Sequence, residues 1–115
     1  MSGEFKMTAF SDVLSRLRAT IEARRGADPA SSYTAKLLAG GPPLAAKKFG
    51  EEAIETALAA VQSDPDAVAA ESADLIYHWL VLLTACGVSL DAVAAKLEAR
   101  EGRSGIEEKA SRPRT

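Results

Sequence analysis

At 115 residues the chain has room for one domain with one modest core, and not for two independent ones. Apolar residues make up 47% of it, much of that alanine, while aromatics are only 5%; few β-branched runs are present, so the composition favours close-packed helices and disfavours sheets. A formal net charge of -2 and the absence of an arginine-rich face interleaved with aromatics argue against nucleic acid as a partner.

The single cysteine, Cys86, excludes an intrachain disulfide and lies in an apolar run, where core packing in a reducing, cytoplasmic setting is the expectation. The longest apolar run, Leu75 to Ala85, is too short to span a bilayer and is interrupted by His78, so a soluble protein with no membrane partner is expected. Met7 offers an alternative start. Residues 1–7 are therefore read as an N-terminal extension or an expression remnant, 8–101 as the all-α domain, and 102–115 as a polar arm or tail.

Phe10, Leu14, Leu17 and Ile21 recur at helical spacing, with Thr8 or Ser11 as cap and Gly26 and Pro29 as a stop. "SSYTAKLLAGGPP" begins with capping serines and ends in two glycines and two prolines, which predicts a short helix and a sharp turn. A helix from Leu44 to about Val61 follows, with a core face expected from Leu44, Phe49, Ala53, Ile54, Ala57, Leu58 and Val61, and with "SDPD" as its stop. The next helix, about Asp66 to Ala85, is apolar nearly all round in its second half and is expected to be buried, ending at Gly87. "SLDAVAAKLEAR" restarts a helix with Ser89 as N-cap, and Asp91, Lys96 and Arg100 complement its dipole. Short connections imply a bundle of antiparallel neighbours. The apolar stretch Leu75 to Leu83 asks for more cover than a few short helices give, so a homodimer that buries it is expected.

The carboxylates carry the chemistry. Glu51, Glu52 and Glu55 crowd one face of the third helix, where like charges at helical spacing repel by roughly 0.2–0.5 kcal/mol per pair. Glu71 and Asp74 repeat the three-residue spacing on the next helix, where a hairpin would bring them opposite the first group. So many acids in one interhelical space call for a cation among them. All-oxygen ligation suits Mg²⁺ or Mn²⁺, and Mg²⁺ commonly shares its shell with substrate phosphates, so a phosphorylated ligand is expected. Any one acid alone reads as a solvated helix face; it is the second pair that points to a metal. His78 is read as a hydrogen-bonded core or interface residue, because a di-iron site would place a histidine three residues after a glutamate. Lys36, Lys47, Lys48, Arg100 and Lys109 are candidates for holding a polyanion, with Arg103 and Arg112 near the last of them.

The stretches "KKFGEEAIETALAA" and "ESADLIYHWLVLL" resemble the EExxE and ExxD motif pair of the all-α nucleoside triphosphate pyrophosphatases, the MazG-like superfamily. Within it, "SYTAKLLAGG" and "SGIEEKASR" resemble the phosphoribosyl-ATP pyrophosphatases of histidine biosynthesis, and the likeness runs from about Thr8 to Arg112. The resemblance implies a MazG-like helical bundle completed by homodimerisation, and Mg²⁺-dependent hydrolysis of phosphoribosyl-ATP to phosphoribosyl-AMP and pyrophosphate in the cytoplasm. Carried over by position, Glu52, Glu55, Glu71 and Asp74 match the metal ligands, and Glu51 matches a ligand or the group that orients the attacking water. No cyclohydrolase domain is present in these residues, so the resemblance is to the stand-alone form. Two alternatives remain at this stage: a housekeeping pyrophosphatase of the same superfamily that acts on other nucleotides, and a noncatalytic helical dimerisation module whose acids are merely solvated.

Overall fold

The computed structural model describes residues 7–101, so Lys109, Arg103, Arg112 and the arm or tail to which they belong lie outside the described residues. Five helices follow in order: α1 (Met7–Ala23), α2 (Tyr33–Ala39), α3 (Gly41–Val61), α4 (Pro65–Cys86) and α5 (Leu90–Glu98). No strand occurs among the described residues, and the chain is all-α.

Local chemistry sets the helix ends. Ser32, Asp64 and Ser89 are in extended conformations, and each accepts a hydrogen bond from the backbone N–H three residues on, the satisfied N-cap geometry. Gly87 closes α4 in the left-handed region at φ 71°, where its amide and that of Val88 bond back to Thr84 and Leu83. At the other sharp corner there is no linker. Gly40 caps α2 and α3 together, and Gly41 at φ 73° opens α3 with Pro42 and Pro43 in its first turn. The helix therefore begins three residues earlier than the sequence pattern suggests, since proline is tolerated where no intrahelical N–H partner exists.

The core is small. Ile21, Leu37, Ala45, Leu80 and Val81 are buried together, with Leu14, Leu17, Leu44 and Trp79 packed against them. Each large side chain taken fully out of water there contributes about 1.5–3 kcal/mol. Arg25 ties the end of α1 to the end of α4, donating from Nη2 to the Thr84 carbonyl at 2.8 Å and from Nε to Glu22 at 2.8 Å. α5 turns away from α4 by 108°, and no single described helix is long and apolar enough to cross a membrane.

Two packing expectations are corrected, the core face of α3 and the burial of Cys86. Of the face assigned to the core on α3, Ile54, Leu58 and Val61 are 64%, 53% and 80% exposed; the buried residues are Ala45 and Ala59. α3 turns inward the side that carries Ala45 and Ala59, which leaves Ile54, Leu58 and Val61 bare. In the second half of α4, His78, Leu80, Val81, Leu83 and Thr84 are buried within the chain, as expected, while Leu75, Ile76, Trp79 and Leu82 are only partly buried. The exposed large apolar side chains are Ile54, Leu58 and Val61 on α3, Phe10 and Val13 on α1, Tyr33 on α2 and Leu97 on α5. Cys86 is exposed: as the last residue of α4 it has rotated past Thr84 toward solvent.

Candidate metal centre

α3 and α4 are joined by Gln62, Ser63 and Asp64 alone, with Ser63 in the left-handed region at φ 57°. The pair folds back tightly, and this fixes which residues meet across it. With side chains advancing about 100° per residue, the inward positions of α3 run Ala45, Phe49, Glu52, Thr56, Ala59, with Glu52 and Thr56 partly buried among small neighbours. Thr56 Oγ1 donates to the Glu52 carbonyl at 2.8 Å and lies 3.2 Å from the Glu71 carbonyl on α4. One hydroxyl thereby fastens the backbones of two acidic residues on different helices.

Carboxylate oxygens of Glu52, Glu71 and Asp74 all lie within 4.8 Å of one another; the two glutamates are partly buried and Asp74 is exposed. Glu71 shows the strain of this arrangement. Its carboxyl is held above the ordinary 4.5 first by loss of solvent, then by the negative charges of Glu55, Asp74 and Glu52. Among the described residues the ion pairs are Glu22 with Arg25 and Glu51 with Lys48, and none neutralises the three acids. A set of hard oxygen donors, crowded and with no ion-pair partner among the described residues, fits a hard divalent ion that keeps open positions for water or phosphate.

The other candidates are distributed around this centre. Glu55, about 60° round α3 from Glu52, is exposed at the rim and raises the Glu71 pKa from there. Glu51, about 100° away, is turned toward Lys48 at 3.3 Å and is not one of the three converging acids. Lys47 and Lys36 are exposed, on α3 and α2 respectively. Arg100 is exposed beyond the end of α5, and no ion pair among the described residues joins it to the acids.

An aromatic and hydroxyl network beside Asp74 is absent from the sequence expectations. His78, 8% exposed, follows Asp74 by one turn, and its Nδ1 is 2.8 Å from the Asp74 carbonyl. A carbonyl only accepts, so Nδ1 carries the proton and Nε2 accepts from the Tyr33 hydroxyl at 3.2 Å. Thr34 and Tyr77 join their hydroxyls beside it. That His78 is a buried, hydrogen-bonded residue agrees with the sequence expectation; its partners, the Tyr and Thr that follow the Ser32 cap in "SYTAKLL", were not expected.

The sequence profile of the phosphoribosyl-ATP pyrophosphohydrolase family matches residues 14–101. The chain belongs to that family. It is 72% identical over 102 residues to the phosphoribosyl-ATP pyrophosphatase of Caulobacter vibrioides, a match covering 89% of this chain and 94% of the relative. The Caulobacter sp. strain K31 protein of the same name is 67% identical over 107 residues, 93% of this chain and 99% of its own length. A third relative so named, from Cereibacter sphaeroides, is 60% identical over 100 residues, 87% of this chain and 97% of its own. The stretch matched to the phosphoribosyl-ATP pyrophosphohydrolase family contains both acid-bearing helices and the whole aromatic network.

Proposed function

We propose that the chain hydrolyses phosphoribosyl-ATP to phosphoribosyl-AMP and pyrophosphate in the cytoplasm, in the histidine pathway, using Mg²⁺ or Mn²⁺ held by Glu52, Glu71 and Asp74, with Glu55 at the margin. The observation that carries this reading is the convergence of three carboxylates within 4.8 Å, from two helices, in a member of this family. A hard divalent ion at that place supplies charge relief to the phosphoryl oxygens and lowers the pKa of water bound to it.

The remaining work falls to the chain's own groups. The Thr56 hydroxyl joins the backbone carbonyls of Glu52 and Glu71, and so fixes the spacing of the two helix turns that carry these carboxylates before substrate arrives. Water oxygen forms a bond to phosphorus as the bridging bond between the α and β phosphates breaks, and pyrophosphate leaves with that electron pair. Glu55, exposed and close enough to raise the Glu71 pKa, accepts the water's proton. Lys48, held by Glu51 and about 40° round α3 from Glu52, faces the phosphate chain, with Lys36, Arg100 and Lys109 as further contacts. Lys47, about 140° round from Glu52, lies on the side of Ile54 and is the weakest of these candidates. No serine, cysteine or histidine nucleophile is needed.

The uncovered stripe of Ile54, Leu58 and Val61 supports a homodimer, in which a second copy packs on α3. Leu58→Glu is expected to convert a dimer to a monomer in analytical ultracentrifugation; an unchanged mass would place the contact elsewhere. The deciding experiment for the activity compares pyrophosphate release from phosphoribosyl-ATP with release from a panel of nucleoside triphosphates. Preference for the panel would make the chain a general nucleotide pyrophosphatase, and no Mg²⁺-dependent release from either would return it to a noncatalytic module.

A further inference from the structure

Tyr33 is the first residue of α2, and it is 51% exposed although its hydroxyl is already engaged by His78. Its ring stacks on Tyr77, with centroids 6.5 Å apart and planes at 22°, and meets the edge of His78 at 6.0 Å. Tyr77 packs edge-on against the same imidazole at 4.9 Å, and its hydroxyl is joined to Thr34. The network is rooted in the backbone carbonyl of Asp74, one of the three converging acids. A half-bare aromatic ring on a protein surface ordinarily needs no explanation. This one is fixed at its polar end and supported by two further rings. Through His78 it is tied to the helix turn that carries Asp74, which sets it beside the acidic cleft.

We propose that the exposed face of Tyr33 is the platform for the purine base of phosphoribosyl-ATP, positioned so that the phosphate chain reaches the acids while the base stacks. This rests on the activity proposed above. The platform also supplies a basis for selecting that substrate over ATP. Attachment of ribose at N1 makes the adenine ring cationic at neutral pH, whereas the base of ATP is neutral. An aromatic face favours a cation placed over it, a preference worth on the order of 2- to 30-fold. Tyr33 therefore both positions the base and reads its charge.

The test measures binding rather than turnover. Phosphoribosyl-AMP and AMP are titrated calorimetrically into wild type, Tyr33→Phe, Tyr33→Leu and Tyr33→Trp, with helicity checked by circular dichroism. Phe and Leu both remove the hydroxyl from His78, so any difference between them belongs to the ring face. Wild type is expected to prefer phosphoribosyl-AMP, Phe to keep that preference, Trp to keep or raise it, and Leu to lower it on the order of 2- to 30-fold. A Leu variant with the wild-type preference, or a Phe variant as impaired as Leu, would overturn the platform. If wild type releases pyrophosphate from phosphoribosyl-ATP and either result is found, the activity stands and only the role of Tyr33 falls; if wild type releases none, the activity itself is refuted.

Discussion

The Thr56 hydroxyl offers the most direct probe of how the fold builds the site. Thr56→Val preserves shape and branching and replaces the hydroxyl by a methyl group. Its proton is shared between the carbonyls of Glu52 at 2.8 Å and Glu71 at 3.2 Å, and both acceptors keep their own helical partners. No orphan group results, and the lost bond is worth about 0.5–1.5 kcal/mol. The added methyl returns part of this, up to about 0.8 kcal/mol if fully buried, but the position is only partly buried. The net destabilisation is about 0.5–1 kcal/mol, which lowers Tm by about 2–8 °C in a domain of this size. Because the hydroxyl also sets the spacing of two acids, Mg²⁺ affinity should fall roughly 10-fold, as for other groups that orient metal ligands. Thermal melts followed by circular dichroism, first with chelator and then across a Mg²⁺ titration, read both effects. A lowered Tm with an unchanged Mg²⁺ midpoint would refute the spacing argument, and no change in either would show that the bridge contributes nothing.

Other expectations concern charge and backbone. Glu52→Gln and Asp74→Asn should each abolish the stabilisation by Mg²⁺ in a melt while leaving helicity intact, since bound ion raises stability only through a formed site; an undiminished Mg²⁺ response in both would remove them as ligands. The raised pKa of Glu71 means that the folded state binds this proton more tightly than the unfolded state does. Its penalty to folding is therefore full above the folded pKa and fades as pH falls toward the ordinary 4.5. The metal-free protein should gain stability in that window, and Glu71→Gln should flatten the gain; equal pH slopes in the two proteins would contradict the crowding. Gly87→Ala places a side chain at φ 71°, with open space around it, and should cost about 1 kcal/mol from conformation alone. Unchanged urea midpoints would argue against that conformation.

Helix order, the Ser32 and Ser89 caps and the Gly87 stop were legible because each depends on a few adjacent residues whose preferences are strong. The pairing of Glu52 with Glu71 and Asp74 was legible as well, from spacing on two helices separated by a short turn. The inward face of α3 was not. Periodicity weighs Ile54, Leu58 and Val61 heavily because they are large, yet α3 turns inward the side on which Ala45 and Ala59 are buried. For the same reason Glu51 was grouped with Glu52 by adjacency, although a rotation of about 100° per residue turns it toward Lys48. The contact of Tyr33 with His78 spans 45 residues, and no local pattern encodes it.

The three-residue turn at Gln62, Ser63 and Asp64 has a consequence for how the protein comes into being. Every one of the converging acids belongs to a single hairpin, so its assembly during folding requires closure of one minimal loop and no encounter between distant parts of the chain. The pairing of α3 with α4 therefore brings the three carboxylates together by itself, with no contribution from the flanking helices.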